Sequence, residues 1–161
     1  MGRRWTVNAS PLILLGKIDH LWLLRDLSDE LIVPDAVVRE VGVKPEGERL
    51  LEEVLGYPAT RIVAPGAIPR EVEVWDLGRG ESAVIAAALV EDGSRAVVDD
   101  LEARRCAQAL GISVIGTLGV VLRAKRKGLI PAARPTLTRL REVGLYVADD
   151  LVDRALGHLG E

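Results

Sequence analysis

Short apolar runs recur along this chain, each followed by a stretch of helical pattern, and no other feature constrains its fold as strongly. Trp5-Thr6-Val7-Asn8, Leu31-Ile32-Val33, Ala96-Val97-Val98 and Ile112 to Ile115 are too brief for buried helices and have the composition of strands. A strand that alternates hardly at all must be covered on both faces. Strands of this kind separated by helices of about ten residues predict a parallel sheet with helices on both sides.

The intervening segments carry helix punctuation. Ser10-Pro11 reads as an N-cap followed by proline, opening a helix to about Ile18, and a second short helix is expected over Leu21 to Leu27. Pro34 opens a helix with Val37, Val38 and Val41 toward the core and Glu40 on its next turn. Lys44 to Gly56 is helical in pattern, whereas Tyr57 to Pro69 is broken by prolines and glycines and no element is assigned there. Leu77-Gly78-Arg79-Gly80-Glu81 is a turn feeding an alanine-rich helix to about Glu91. Further helices are expected over Leu101 to Leu110, from Thr117 as cap to near Gly128, over Arg134 to Val143 and over Asp149 to Leu159. There is no internal repeat, and the chain, residues 1–161, is expected to be a single domain.

Composition narrows the setting. Hydrophobic residues make up 48% of the chain, enough to fold without a disulfide or structural metal. Cys106 is the only cysteine, which rules out an internal disulfide and a multi-thiolate zinc cluster and suits a buried thiol in a reducing, cytoplasmic compartment. The longest apolar stretch, Ala83 to Val90, is far short of the roughly 20 residues that span a bilayer, so no membrane segment is expected. Met1-Gly2-Arg3-Arg4-Trp5-Thr6 formally fits a myristoylation pattern, but a strand begins at once and the match is read as coincidence. The net charge of −3 means that a nucleic-acid ligand would need a local basic patch. Asn8 is the only asparagine and Gln108 the only glutamine, which makes an amide directly after the first strand conspicuous.

Ligands of parallel sheets bind outside the carboxyl ends of the strands. Asn8 and Ser10 follow the first strand, Glu40 stands one helix beyond the second, Asp99 and Asp100 follow a third and Thr117 follows a fourth. Glu81 joins them if its helix begins at the same edge. Carboxylates gathered in this way repel one another unless a cation neutralises them, and hard oxygen ligands suit Mg²⁺ or Mn²⁺. Each residue also has an ordinary reading. Asp100 reads as an N-cap, Glu81 as a first-turn charge, Glu40 as a solvated helix position, Ser10 and Thr117 as caps and Asn8 as a turn residue. Their joint placement on one rim favours the functional reading.

The ordered set Val7-Asn8-Ala9-Ser10-Pro11-Leu12, Val33-Pro34 with Glu40, Gly80-Glu81-Ser82-Ala83, Val98-Asp99-Asp100 with Ala103-Arg104-Arg105, and Gly116-Thr117-Leu118-Gly119-Val120 resembles the PIN-domain family. It is most similar to the prokaryotic branch that supplies toxins of VapBC-like toxin–antitoxin pairs. The likeness runs from about Thr6 to Pro131. It implies a three-layer α/β/α sandwich with a mostly parallel central sheet. It also implies a Mg²⁺- or Mn²⁺-dependent ribonuclease that hydrolyses RNA phosphodiesters. By position, the acidic ligands are Asn8, Glu40, Glu81, and Asp99 or Asp100. Ser10 would orient the first of them, and Thr117 would stand against water or phosphate. Most of the wider family has aspartate where this chain has Asn8, so the alternative is a catalytically impaired module that binds RNA or a protein partner. A receiver-type phosphoacceptor protein would need an acidic pair after the first strand, and Asn8 ranks that reading last.

Arg104, Arg105, Arg123, Lys125, Arg126 and Lys127 are the candidate phosphate contacts, or else solvated helix positions. Three tryptophans and two tyrosines leave little for aromatic base readout. The likeness to toxins predicts a small antitoxin-like inhibitor and self-association as a homodimer. Leu21, Trp22, Leu23 and Leu24 are candidate interface residues, with core packing as the alternative.

Overall fold

A computed structural model describes residues 3–91 and 93–161. Met1 and Gly2 of the formal myristoylation match lie outside the described residues. The first half of the chain contains β1 (Arg4–Val7), α1 (Ala9–Lys17), α2 (Trp22–Leu27), β2 (Glu30–Pro34), α3 (Asp35–Gly42), α4 (Gly47–Leu55) and β3 (Thr60–Val63). The second half contains α5 (Arg70–Glu73), α6 (Arg79–Val90), β4 (Arg95–Val97), α7 (Leu101–Ala109), β5 (Ser113–Ile115), α8 (Thr117–Arg126), α9 (Arg134–Glu142) and α10 (Asp149–Gly157). The five strands form one sheet in the order β3-β2-β1-β4-β5, and every pairing is parallel. Helices flank the sheet to give the three-layer α/β/α sandwich.

Strand order fixes where a ligand can sit. The chain moves outward from β1 through β2 to β3, then crosses back to β4 beside β1 and moves outward again to β5. Because parallel crossovers are right-handed, this reversal puts the connections before and after the crossing on opposite faces. A crevice opens where they diverge, at the carboxyl ends of β1 and β4. Asn8 leaves β1 there, with its N–H on Val97 O at 3.0 Å, and Asp99 leaves β4 there.

The sheet is buried because its residues are. Trp5, Val7, Val33, Val97 and Val98 are at most 1% exposed and belong to a contiguous apolar cluster that reaches from α1 to α10, and Ile32 is buried as well. Cys106 lies in this cluster as a free thiol, and burial pushes its pKa up. Leu21, Leu23 and Leu24 are fully buried and so belong to the core, not to a surface, whereas Trp22 is half-buried and packs against the same cluster. Among the described residues, no helix is long and apolar enough to cross a membrane.

Three local expectations are corrected. A fifth strand, β3, occupies part of the segment to which no element was assigned. It is an edge strand with Arg61 and Ile62 exposed, so it needs no apolar run. The first helix begins at Ala9 with Asn8, not Ser10, in the cap position, and no side-chain cap bond is made. Gly116, not Thr117, occupies the cap position of α8, which frees the Thr117 side chain.

Candidate active site

At the amino edge of the sheet, acidic side chains are paired. Arg61 bridges Glu30 and Glu91, at 2.7 Å to the latter, and Arg4 approaches the same two carboxylates at 3.6 and 3.8 Å. The carboxyl edge is different. Among the described residues, Glu40, Glu81, Asp99 and Asp100 make no ion pair within 4.0 Å.

The local fold explains how they meet. α1, α6, α7 and α8 all begin at this edge, so four helix N-termini point their positive ends at the carboxylates and partly offset their charge. Asp99 is the most firmly held. Its Oδ2 accepts from Ser10 Oγ at 2.9 Å and Thr117 Oγ1 at 2.7 Å, and its Oδ1 accepts from the Thr117 backbone N–H at 2.7 Å. Thr117 is fully buried, so these donors are fixed by packing. Asp100 does something else: its Oδ2 accepts from the Ala103 N–H at 2.9 Å and caps α7. Two adjacent aspartates with equivalent sequence prospects are thus separated by which way each side chain turns.

Glu40 reaches the rim from α3. The residue is exposed, but its carboxylate turns in over Gly80, the second residue of α6. A carbon built at the missing Cβ of Gly80 would stand 2.8 Å from Glu40 Oε2 and 3.1 Å from Asn8 Oδ1. Glycine is therefore what lets a carboxylate and an amide oxygen close over the start of α6. Burial first, and then the charge of Glu81, push the Glu40 carboxyl above the usual carboxylate range, with Lys44 opposing. The Glu81 carboxylate itself folds back toward Gly78, at 2.5 Å from that residue's Cβ position.

Asn8 is 3% exposed, and its Oδ1 is one of only two buried side-chain polar atoms that lack a hydrogen-bond partner among the described residues. An unpaired buried carbonyl oxygen costs on the order of 1–3 kcal/mol, which a water or an ion at this point would recover. Even so, among the described residues no three Asp, Glu, His or Cys side chains are drawn together tightly enough to hold an ion unaided.

A cleft of about 900 Å³ opens over this edge, lined by Asn8, Ser10, Glu81, Asp99, Asp100 and Arg104. Glu40 and Thr117 stand just behind it, Glu40 sharing the Cβ position of Gly80 with Asn8 and Thr117 bonded to Asp99. Of the basic candidates, only Arg104 lines it, with Nη1 2.8 Å from the Cβ position of Gly116. Arg105 is exposed and pairs with Glu102 at 2.7 Å. Arg123, Lys125 and Arg126 are not brought to the cleft. α8 starts at the rim and runs away from it at about 1.5 Å per residue, which carries them roughly 9–14 Å down its axis. Arg123 lies close enough to Arg95, at the opening of β4, to help lower its pKa, and Lys125 Nζ donates to Pro131 O at 2.7 Å. Sequence reasoning missed the far wall, formed by Gln108, Leu145, Tyr146, Val147 and Leu151. No local pattern signals it, because apart from Gln108 on α7 it comes from the turn between α9 and α10 and the start of α10, about 45–50 residues after Asp99. A separate concavity of about 430 Å³ between α3 and α6, lined in part by Asp35, Arg39 and Arg79, holds none of the candidate ligands.

Residues 4–161 match a family model described as a PIN domain. No curated protein matches the chain.

Proposed function

We propose that this chain, which belongs to the PIN-domain family, is an endoribonuclease whose rim of Asn8, Glu40, Glu81 and Asp99 holds Mg²⁺ or Mn²⁺ against an RNA phosphodiester. PIN domains are in general nucleases and in general use divalent metals. The observation that carries the reading is the buried, unpartnered Asn8 Oδ1 beside the Glu40 carboxylate, which has no ion-pair partner among the described residues. A neutral oxygen and several carboxylates make a hard donor set suited to these ions and unsuited to zinc.

The roles divide by geometry. Ser10 and Thr117 fix Asp99 so that its carboxylate faces the cleft and does not swing to a helix cap. Asp100 caps α7 through Oδ2, which leaves Asp99 the better-placed ligand of the pair, and its charge adds to the negative field of the cleft. Arg104 is placed to meet a phosphate oxygen. A divalent ion held by Asn8, Glu40, Glu81 and Asp99 would activate a water and offset charge at the phosphorus.

The reading extends to regulation. An acidic rim is readily blocked by an inserted arginine or lysine, so we assign this chain the toxin half of a cytoplasmic pair with a small antitoxin-like protein, acting as a homodimer. The amide at position 8 favours one alternative, a module that binds RNA without cutting it. Purified protein incubated with single-stranded RNA separates the two. Cleavage that requires Mn²⁺ or Mg²⁺ and is abolished by Glu40→Gln or Glu81→Gln supports the nuclease, whereas RNA binding with no cleavage under either metal supports the module.

A further inference from the structure

The cleft has an outer wall that the carboxylates do not use. Its lip is apolar and exposed: Leu101, Tyr146 and Leu151 are 59%, 99% and 43% exposed. Tyr146 is one of only two tyrosines in the chain and lies in the turn between α9 and α10.

That turn is braced on both sides of the ring. Leu145 is buried and its N–H donates to Leu140 O at 2.9 Å. On the other side, the Arg141 guanidinium donates to Val147 O at 3.2 Å and to the Asp149 carboxylate. Tyr146 itself makes no side-chain hydrogen bond among the described residues. A large aromatic ring displayed by a pinned turn, with nothing of its own chain against it, contributes nothing to folding and is presented outward.

We propose that Tyr146 is the stacking platform for an unpaired RNA base adjoining the phosphate held at the carboxylates, with Leu101 and Leu151 bordering the base. The inference rests on the proposed nuclease reading and adds to it a residue that positions the substrate. One ligand has both parts the cleft asks for: a flat apolar face for the wall and an anion for the floor, where Arg104 and the cation-binding oxygens lie. Every base has a π-face, so this contact is indifferent to sequence. It is not indifferent to strandedness, because bases inside a duplex are already stacked and offer no face to the ring. The cleft therefore selects single-stranded or looped RNA.

The test compares the parent chain with Tyr146→Ala and Tyr146→Trp, by steady-state cleavage of a short single-stranded RNA in Mn²⁺ and of the same strand in a duplex. Alanine is expected to raise KM by roughly fivefold to a hundredfold, the range spanned by loss of one stacked base, and tryptophan to restore it. Scanning one abasic nucleotide along the strand adds a readout that a structural role would not move. At one position, the parent should lose as much as Tyr146→Ala does, and the variant should lose nothing more. Tyr146→Ala cleaving with the parent's KM, or losing equally against every abasic strand, overturns the inference while leaving the nuclease reading intact. Unchanged RNA kinetics with lost binding of a small inhibitory protein would also overturn it and assign the wall to that protein. A parent chain that cuts no RNA under either metal fails at the earlier step and takes both readings with it.

Discussion

Changing Asn8 to aspartate should make the protein less stable without metal and more responsive to it. The substitution puts a charge at a site that is 3% exposed, where the present oxygen has no partner and the Glu40 carboxylate borders the same point. Both oxygens lie within 3.1 Å of the Gly80 Cβ position, so they are at most about 6 Å apart, and like charges at that distance repel by about 3 kcal/mol at an effective dielectric of about 20. For a chain of this size each kcal/mol moves the melting midpoint by roughly 2–4 °C, so Asn8→Asp should melt about 6–12 °C below the parent in EDTA at alkaline pH. A divalent cation reverses the sign. An ion that binds only the folded state adds about 2.7 kcal/mol at a hundredfold excess over its Kd, and the added carboxylate lowers that Kd. Differential scanning calorimetry of both chains, with EDTA and then with Mn²⁺, reads the two effects separately. A variant that melts with the parent in EDTA, or gains no more from Mn²⁺ than the parent gains, would refute the placement of Asn8 at the cluster.

Two other substitutions probe the same frame. Gly80→Ala should leave the melting midpoint in EDTA unchanged or raised, because alanine favours a helix and Glu40 can swing aside, yet weaken Mn²⁺ binding by about tenfold in calorimetric titration. Thr117→Val removes one of three bonds to the half-buried Asp99 carboxylate and should cost about 1–2 kcal/mol in urea unfolding, with Ser10→Ala non-additive to it because both hydroxyls serve Oδ2.

Most of the sheet was legible because most of it is central. β1, β2, β4 and β5 coincide with short apolar runs bounded by helix starts, and a residue buried on both faces must look apolar wherever it stands. β3 was invisible for the converse reason: an edge strand of Thr60, Arg61, Ile62 and Val63 between prolines and glycines obeys no such demand. The rim residues could be named because parallel topology sends the residue after each strand to one edge. Their roles could not. Whether Asp99 or Asp100 turns inward depends on Ser10 and Thr117, nearly ninety residues away and eighteen residues away in sequence. The basic run after Val121 pointed to phosphate until the direction of α8 carried it off the rim, and Leu21, Leu23 and Leu24 read as surplus apolar surface until the cluster enclosed them. Tyr146 gave no signal because only the path of the last two helices brings it to the cleft that the carboxylates line.

The central claim, that these four oxygen-bearing side chains form one cation site, is tested most directly by isothermal titration of the metal-free protein with Mn²⁺, parent against Glu40→Gln. The account predicts a saturable site in the parent that the variant loses, while the variant's melting midpoint in EDTA stays at or above the parent's, since Glu40 is held against burial and a like charge. Equal Mn²⁺ binding by the two chains, or no binding by the parent, would contradict it.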